Sequence, residues 1–179
     1  MEPRYEPRIE TERCVLRAPE LGDAPNLSTY AGDYDVASMT SSIPSPYPVL
    51  AAEMWVLGVR AGWGKRPNFS FIIEHEGQCA GGAGVFRRTP KADWELGYWI
   101  GKPWQGKGLA TEVGRALMGF AREDVAAGKV IAAHAADNPA SGRVLEKLGF
   151  RYTGERDAHW AMARLGQSLC LNMEWNPAG

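Results

Sequence analysis

The sequence predicts an α+β domain built around a mainly antiparallel β-sheet. Its 179 residues suit one domain with one hydrophobic core. The dipeptide Glu76-Gly77 separates two segments rich in β-forming residues, which is typical of a β-hairpin. After Pro103 the apolar residues recur at helical spacing instead of alternating. In the central part of the chain, the predicted order is therefore three strands, a helix, a strand, a helix and two strands.

The charge and composition exclude several classes of protein. Lys and Arg number 20 and Asp and Glu 21, so the formal net charge is −1 and bulk charge does not favour nucleic acid or an anionic membrane. The apolar runs are shorter than the ~20 residues of a membrane span, and the N-terminus lacks the apolar stretch of a signal peptide. The 3 cysteines are far apart and lack metal-ligand spacing. We therefore expect reduced cysteines, no metal, no nucleic-acid or membrane partner and a cytoplasmic location.

The N-terminal third carries one strand signal and two helix signals around a proline-rich loop. Residues 1–8 are polar and contain two prolines, so they are predicted to be a flexible tail, with a single domain over residues 9–176. Asp23 is a typical helix cap, and three prolines keep residues 41–48 out of a helix. The elements predicted here are a strand over 13–17, a helix from Asp23 through Tyr30, a loop over 41–48 and a helix over 51–61.

The rest of the chain supplies most of the sheet. The strand over 78–86 contains Gly81, Gly82 and Gly84, which indicates either a β-bulge or a group packed closely against its backbone. In the strand over 94–100, alternate side chains point to opposite faces. The further elements predicted are strands over 69–74 and 130–136, helices over 109–120 and from Asn138 to Gly149, and closing strands from Tyr152 and over 169–175.

The most informative segment is Gln105-Gly106-Lys107-Gly108-Leu109-Ala110, which lies between a strand and an amphipathic helix. The first backbone N–H groups of a helix have no intrahelical acceptor, and the helix dipole adds partial positive charge there. Glycines let phosphate oxygens approach these N–H groups, and Lys107 adds a full positive charge. The segment therefore predicts a phosphate or pyrophosphate site, the alternative being an ordinary turn at the start of a helix.

Three known phosphate-binding motifs can be compared with this segment. A dinucleotide-binding fingerprint needs a third small residue where the sequence has Thr111. A Walker A loop, which would indicate a nucleotide hydrolase, needs Ser or Thr where the sequence has Gly108, and so lacks the hydroxyl that holds magnesium. The third is the coenzyme A pyrophosphate loop of acetyltransferases, Gln/Arg-x-x-Gly-x-Gly/Ala. Its three defined positions are matched by Gln105, Gly108 and Ala110.

Segments on both sides of this loop carry a resemblance to a known family. Glu95-Leu96-Gly97-Tyr98-Trp99-Ile100 precedes the loop, and Asn138-Pro139-Ala140-Ser141 and Val144-Leu145-Glu146-Lys147-Leu148-Gly149-Phe150 follow it. In this order and spacing they resemble the GNAT superfamily of acetyl-CoA-dependent N-acetyltransferases. Thr11-Glu12-Arg13 and Pro46-Tyr47-Pro48 are similar to its ribosomal-protein N-acetyltransferase (RimJ/RimL-like) branch. The resemblance covers residues 9–175.

The resemblance implies the GNAT fold, a mixed and mainly antiparallel sheet flanked by helices that opens between its fourth and fifth strands. Acetyl-CoA is the implied cofactor and lies in this opening. Its pyrophosphate would rest on the N–H groups of residues 105–110, and an N–H between Tyr98 and Ile100 would face the thioester carbonyl. The cofactor-binding residues implied are Tyr98, Trp99, Ile100, Gln105, Gly106, Lys107, Gly108, Leu109, Ala110, Thr111, Asn138, Ser141 and Lys147.

Direct transfer of the acetyl group in a ternary complex needs a base for the amine, and an acid can assist the leaving thiolate. Glu95, on the same strand face as Gly97, is the candidate base, the alternative being a carboxylate at the rim of the site or in a salt bridge. The tyrosine that many family members offer as the acid is replaced by Leu145. The resemblance to the RimJ/RimL-like branch implies Ser141 as the candidate acid, the alternative being a first-turn residue of its helix.

The acceptor of the acetyl group is a primary amine, and the branch implies the α-amine of a protein or peptide N-terminus. The same branch contains enzymes for small-molecule amines (antibiotics, amino-acid-like toxins, polyamines), and a non-catalytic acyl-CoA sensor is the alternative of another class. A homodimer is compatible with the resemblance, because family members often dimerise. His134, in an apolar strand, is expected in the core. The residues expected on the acceptor side are Tyr47, Trp63, His159 and Trp160.

Overall fold

The centre of the molecule is one mixed β-sheet. The computed structural model of the chain describes residues 6–62 and 68–176. Neighbouring strands are antiparallel except for one parallel pair, so the prediction of a mixed, mainly antiparallel sheet is confirmed. The strands are β1 (Ile9–Glu10), β2 (Cys14–Arg17), β3 (Asn68–His75), β4 (Gln78–Phe86), β5 (Trp94–Ile100), β6 (Val130–Ala135), β7 (Arg151–Ala161) and β8 (Gly166–Trp175). Their spatial order is β1-β2-β3-β4-β5-β6-β8-β7.

The parallel pair, β5 and β6, is the place where the sheet opens. Pairing is confined to Trp94 with Val130 and Glu95 with Ile131, although both strands continue beyond these residues. Along the rest of its length β5 pairs with β4, and β6 pairs with β8. The predicted opening lies here, but between the fifth and sixth strands rather than the fourth and fifth, because the short strand β1 adds one to the count.

Helices flank the sheet on both faces. The first predicted helix, from Asp23 through Tyr30, is instead a succession of a 3-10 turn (Leu21–Asp23), a short α-helix and a π-helical turn (Leu27–Ala31). Within residues 6–62 and 68–176, no helix is long and apolar enough to cross a membrane. The α-helices are α1 (Ala24–Asn26), α2 (Tyr34–Ala37), α3 (Val49–Gly62), α4 (Leu109–Glu123) and α5 (Pro139–Lys147).

Apolar side chains form two clusters, one on each face of the sheet. Successive residues of β3 belong to different clusters, because successive side chains of a strand point to opposite faces: Phe71 and Ile73 to one, Ile72 to the other. Helix α4 covers the first face with Val113 and Leu117, and α3 covers the second. Burial of each large apolar side chain contributes about 1.5–3 kcal/mol, so the sheet is held from both sides.

The sequence leaves two explanations for the glycines of β4, a β-bulge and a group packed closely against the backbone, and the structure shows both. A β-bulge interrupts the register of β3 and β4 between Ile73 and Glu74. The indole of Trp99 lies against Gly82, where an added Cβ would come 2.5 Å from the ring nitrogen Nε1. At Gly81 an added Cβ would clash with the carbonyl oxygen of Trp99. Glycine is therefore required at these positions because β5 lies too close for a side chain.

Asp23 lies at the predicted N-cap of α1, but its side chain caps no N–H group of that helix and forms a buried ion pair instead. Its carboxylate accepts hydrogen bonds of 2.8 and 2.9 Å from the guanidinium of Arg17 and one of 2.8 Å from the N–H of Glu20. Arg17 also donates to Glu74 at 2.6 Å. Hydrogen bonding to Asp23 outweighs the effect of burial and raises the pKa of Arg17, so the guanidinium is always charged. The network ties β2 and β3 to the turn before α1.

Arg17→Ala should lower the free energy of unfolding by about 3 kcal/mol, because it leaves the buried carboxylate of Asp23 without its partner. Arg8→Ala is the matched control, since the Arg8–Glu10 pair is exposed and such pairs contribute about 0–1 kcal/mol. Urea denaturation of both variants and the parent protein measures the difference. Equal stability of the two variants would contradict the role assigned to the buried pair.

Candidate active site

The gap between β5 and β6 leads into a cavity of about 860 Å³. We call the side formed by β5, the loop before α4 and the first turn of α5 the donor side, because the residues predicted to bind the cofactor lie on it. The acceptor side is the opposite one, formed by residues 35–43 and parts of β7 and β8, where His159 is predicted to contact the acceptor. Apart from Lys107, the residues predicted to bind the cofactor all line this cavity: Tyr98, Trp99, Ile100, Gln105, Gly106, Gly108, Leu109, Ala110, Thr111, Asn138, Ser141 and Lys147.

The glycine loop, residues 105–110, has a backbone suited to an anion. Gly106 and Gly108 have φ values of +73° and +81°, in the left-handed region that favours glycine. Gly108 is the N-cap of α4, so the unpaired N–H groups of the first helical turn follow it directly. The side chain of Gln105 donates to the carbonyl oxygen of Ile100 at 2.8 Å and joins the loop to β5.

A segment before β2 holds the glycine loop in place. Arg13 donates to the carbonyl oxygen of Lys107 at 2.9 Å and forms an ion pair with Glu112 at 2.7 Å. Thr11 donates to the same carboxylate at 2.6 Å. Burial would raise the pKa of Glu112, but the hydrogen bonds from Thr11 and Arg13 outweigh it and lower the pKa. In this loop clamp, formed by Thr11, Arg13 and Glu112, the carboxylate of Glu112 therefore stays ionised in mildly acidic solution.

The hydroxyl groups of Tyr98 and Ser141 meet at the donor-side wall. Tyr98 Oη lies 2.8 Å from Ser141 Oγ and 3.2 Å from the carbonyl oxygen of Ser141. Asn138 is the N-cap of α5, since its Oδ1 accepts from the N–H of Ser141 at 3.2 Å. Burial raises the pKa of Tyr98 to about 12, so the phenol is protonated at neutral pH. Leu145, at the usual tyrosine position, is buried in the same wall.

His134 is buried below α5, as expected for a core histidine. Its Nδ1 lies 2.8 Å from the carbonyl oxygen of Ala135, which can only accept, so Nδ1 carries the proton. Nε2 then accepts from the hydroxyl of Tyr152 at 3.0 Å. At Gly142 an added Cβ would come 2.5 Å from that hydroxyl oxygen. Glycine at this position lets α5 pack directly on β6 and β7.

Glu95 lies where the gap begins, at the last residue of β5 that pairs with β6, and it lines the cavity. The register of β4 and β5 runs without a shift, so Glu95 and Gly97 share the face opposite to Tyr98. An added Cβ at Gly97 would lie in ordinary van der Waals contact with the ring of Phe86, at 3.6 Å. Glu95 also forms an ion pair with Arg88 at 3.7 Å. Both interpretations of Glu95, base and salt-bridge partner, are compatible with this geometry.

Two of the residues predicted on the acceptor side reach the cavity. Tyr47 is nearly buried in its wall, and burial raises the pKa of its hydroxyl. His159 of β7 lines the cavity as well. Trp160, the next residue of β7, points to the opposite face and is 56% exposed, so the structure does not bring it to the cavity. Trp63 lies outside the described residues.

Residues 35–43 form an acceptor-side wall that no sequence motif predicts. Arg164 fixes this wall, because its Nε donates to the carbonyl oxygen of Ser38 at 2.7 Å. The same guanidinium binds the carboxylate of Asp137 at 2.8 and 3.0 Å. Asp137 directly precedes the cap residue of α5, so one side chain ties the acceptor wall to the donor side. Ser38 and Arg164 are 126 positions apart, a separation at which local patterns carry no signal.

Cys170 lines the cavity, although it lies outside the segments that carry the resemblance. Burial raises the pKa of its thiol, and it does the same for Cys14 and Cys79. A nucleophilic cysteine needs a lowered pKa, so these thiols do not favour an acetyl-cysteine intermediate. Among residues 6–62 and 68–176, no three His, Cys, Asp or Glu side chains are grouped to hold a metal ion.

Comparison with known proteins identifies the family. The sequence profile of the acetyltransferase (GNAT) domain matches residues 13–151, and the chain therefore belongs to the GNAT acetyltransferases. The uncharacterized N-acetyltransferase p20 of Bacillus licheniformis is 28% identical over 162 residues, which are 88% of this chain and 90% of that protein. The class is thus an acyltransferase that uses acetyl-CoA.

Solved structures share the fold over nearly the whole chain. RimJ of Mycobacterium smegmatis, in complex with CoA-disulfide, superposes with a TM-score of 0.83 at 21% identity, covering 99% of this chain and 91% of that one. The ribosomal-protein-S5-alanine acetyltransferase of Vibrio fischeri superposes with a TM-score of 0.80 at 17% identity, covering 95% and 96%. The fold is therefore the GNAT fold, as the sequence predicts.

Gly108→Val should weaken acetyl-CoA binding about 10-fold, because the left-handed conformation costs a β-branched residue about 1–2 kcal/mol and a relaxed loop misplaces its N–H groups. Gly119→Ala is the matched control in α4, since an added Cβ there meets nothing within 4 Å. It should leave the affinity unchanged. Isothermal titration calorimetry with acetyl-CoA measures the affinity of both variants. Full affinity in Gly108→Val would refute the prediction that the glycine loop binds the pyrophosphate.

Arg13→Ala should raise the KM for acetyl-CoA about 10-fold, because the loop clamp acts on the segment that receives the pyrophosphate, and hydrogen bonds to charged groups contribute about 1.5–3 kcal/mol. S-acetylpantetheine, which lacks the pyrophosphate and the nucleotide, should show an unchanged KM. Steady-state kinetics with the two donors separate the effects. An equal rise for both donors would mean that Arg13 supports the fold and not the loop.

Proposed function

We propose that the protein acetylates the α-amine at the N-terminus of a protein or peptide, by direct attack on acetyl-CoA in a ternary complex. The charge of the cavity wall carries this proposal. Among the described residues that line it, the carboxylates are Asp35 and Glu95, and these are paired with Lys102 and Arg88. A polyamine or an aminoglycoside, with several positive charges, requires a more acidic wall. This wall, in which both carboxylates are paired, suits an acceptor with a single amine on a largely neutral peptide.

The acceptor wall also suits a peptide backbone. Hydroxyl side chains can donate to peptide carbonyl groups and accept from peptide N–H groups without a fixed charge. One structural neighbour is named for a ribosomal-protein substrate, which supports a protein acceptor for this chain. The hydroxyl side chains that line this part of the cavity are Ser38, Thr40, Ser41, Ser42 and Ser168.

Different parts of the cavity have different roles in the transfer of the acetyl group. The glycine loop and the start of α4 receive the pyrophosphate, and the part of β5 that is unpaired with β6 offers backbone groups to the pantetheine arm and the thioester carbonyl. An amine is mostly protonated at neutral pH, so Glu95 takes a proton from it, directly or through water. The neutral amine attacks the carbonyl carbon and forms the C–N bond. The C–S bond then breaks, its electron pair leaves with the sulfur, and the nitrogen loses its second proton to water to give the amide.

A competition assay tests the acceptor. Acetyl-CoA is offered with a mixed pool of unblocked peptides, N-terminally blocked lysine peptides and small amines, and the products are identified by mass spectrometry. We expect acetyl groups on peptide α-amines. Acetylation of small amines alone would contradict the proposed acceptor. Tight binding of acetyl-CoA without any product would contradict the proposed transfer and favour a sensor.

Glu95→Gln should lower turnover about 100-fold near pH 6, because general bases contribute about 10²–10⁴-fold and the amine is then almost fully protonated. The loss should shrink as the pH approaches the pKa of the amine, and affinity for acetyl-CoA should not change.

Arg88→Gln is the matched control for this prediction, since it removes the ion pair but keeps the carboxylate of Glu95. Rate profiles of both variants between pH 6 and pH 9 distinguish the two roles. Identical profiles for Glu95→Gln and Arg88→Gln would show that Glu95 serves only as a salt-bridge partner.

A further inference from the structure

The turn between β7 and β8 holds the acceptor-side wall against the donor side of the cavity. Its last residue is Arg164, which lies behind the wall and outside the lining of the cavity. We infer that Arg164 is a positioning residue, which fixes the place at which residues 35–43 hold the acceptor amine relative to the thioester. The inference rests on the proposed transfer, with the acceptor lying along this wall, but it does not depend on which amine accepts the acetyl group.

The first argument is the geometry of the Arg164 guanidinium, which bonds both sides of the cavity at once. On the donor side, its two terminal nitrogens bind the carboxylate oxygens of Asp137 at 2.8 and 3.0 Å. On the acceptor side, its Nε donates to the carbonyl oxygen of Ser38 at 2.7 Å. A guanidinium is planar and its N–H groups point in fixed directions, so these contacts fix the wall and Asp137 relative to each other.

The second argument is that the same turn holds the wall at two points. Ser38 is buried, so its carbonyl group needs a donor within the protein, and Arg164 supplies it. The N–H of Met162, at the start of the turn, donates to the carbonyl oxygen of Ser41 at 3.1 Å. The side chains of Ser38 and Ser41 both line the cavity. A displacement of the turn would therefore move the hydroxyl groups that the acceptor is proposed to contact.

The opposite end of the wall is also held by a cation. Lys102 forms ion pairs with Asp33 at 3.1 Å and Asp35 at 2.5 Å, at the start of α2. Lys102 lies in the turn between β5 and the glycine loop, whereas Asp137, the partner of Arg164, directly precedes the cap residue of α5. Both ends of α2 are thus attached to elements that are proposed to hold acetyl-CoA. The distance between the wall and the thioester therefore depends on these two attachments.

The transfer is sensitive to this distance. An amine attacks a carbonyl carbon from about 3–3.5 Å, and a misplacement of about 1 Å costs up to about 100-fold in rate. Hydrogen bonds from Arg164 lower the pKa of Asp137, and hydrogen bonds to Asp137 raise the pKa of Arg164, so the ion pair is present at neutral pH. Because neither residue lines the cavity, loss of the pair should impair use of the acceptor and spare the binding of acetyl-CoA.

Hydrogen exchange measured by mass spectrometry tests the attachment without any acceptor. Arg164→Ala and Asp137→Asn should each speed exchange in residues 35–43 about 3- to 10-fold, and the double variant should exchange no faster than Arg164→Ala, because the pair acts as one unit. Lys129→Ala is the matched control, since it removes an ion pair with Glu174 that lies outside the cavity lining. Unchanged exchange of residues 35–43 in both variants, or an equal increase in α4, would overturn the inference and leave the proposed function standing.

Steady-state kinetics with the amine that the parent protein acetylates supply the second test. Arg164→Ala and Asp137→Asn should each lower kcat/KM for the acceptor about 10-fold and leave the Kd for acetyl-CoA within about 2-fold of the parent value. Lys129→Ala should change neither quantity. An unchanged kcat/KM for the acceptor, or an equal loss of affinity for acetyl-CoA, would overturn the inference. A parent protein that acetylates small amines instead of peptides would refute the proposed acceptor and leave this comparison intact.

Discussion

The separation of β5 from β6 is the constraint on which the rest of the site depends. Two residues of each strand are paired, and beyond them each strand keeps its partner on the other side, β4 for β5 and β8 for β6. Each strand is therefore stable although one of its edges faces a cavity. Backbone groups of a parallel pair normally satisfy each other. Here the backbone groups of β5 that face the cavity can bind a ligand that has amide groups of its own. The pantetheine arm of coenzyme A is such a ligand.

The proposed anion site lies at the N-terminus of α4, a helix that packing in the core holds in place. Helix α4 covers one face of the sheet with Val113 and Leu117, and its N-terminus follows the glycine loop. The same helix carries Glu112, through which Arg13 holds the loop from the other end of the sheet. Core packing therefore fixes the position of the partial positive charge, and we expect pyrophosphate binding to spend little free energy on ordering the loop. The residue that the sequence favours for this charge, Lys107, contributes its carbonyl oxygen to the clamp instead.

A feature of the site is predictable from the sequence when the residues that form it are close together along the chain. The glycine loop, the start of α5 at Asn138 and the succession of strands along the chain arise from residues a few positions apart, and the sequence predicts them. Tyr98 and Ser141 are 43 positions apart, and Arg13 and Glu112 are 99 apart, so no local pattern records these pairs. Strand alternation puts Tyr98 and Glu95 on opposite faces of β5, but the distance from Tyr98 to α5 depends on packing. Trp160, which the sequence predicts on the acceptor side, lies on the exposed face of β7 and outside the lining of the cavity.

A crystal structure with a bisubstrate analogue, in which coenzyme A is joined through an acetyl bridge to the α-amine of a short peptide, tests the central claim most directly. The account predicts the pyrophosphate against the N–H groups of residues 106–110 and the sulfur within about 3.5 Å of Ser141 Oγ. It also predicts the peptide nitrogen beside Glu95, within reach of its carboxylate directly or through one water molecule. A pyrophosphate bound away from the glycine loop, or a sulfur and nitrogen outside the gap between β5 and β6, would contradict it.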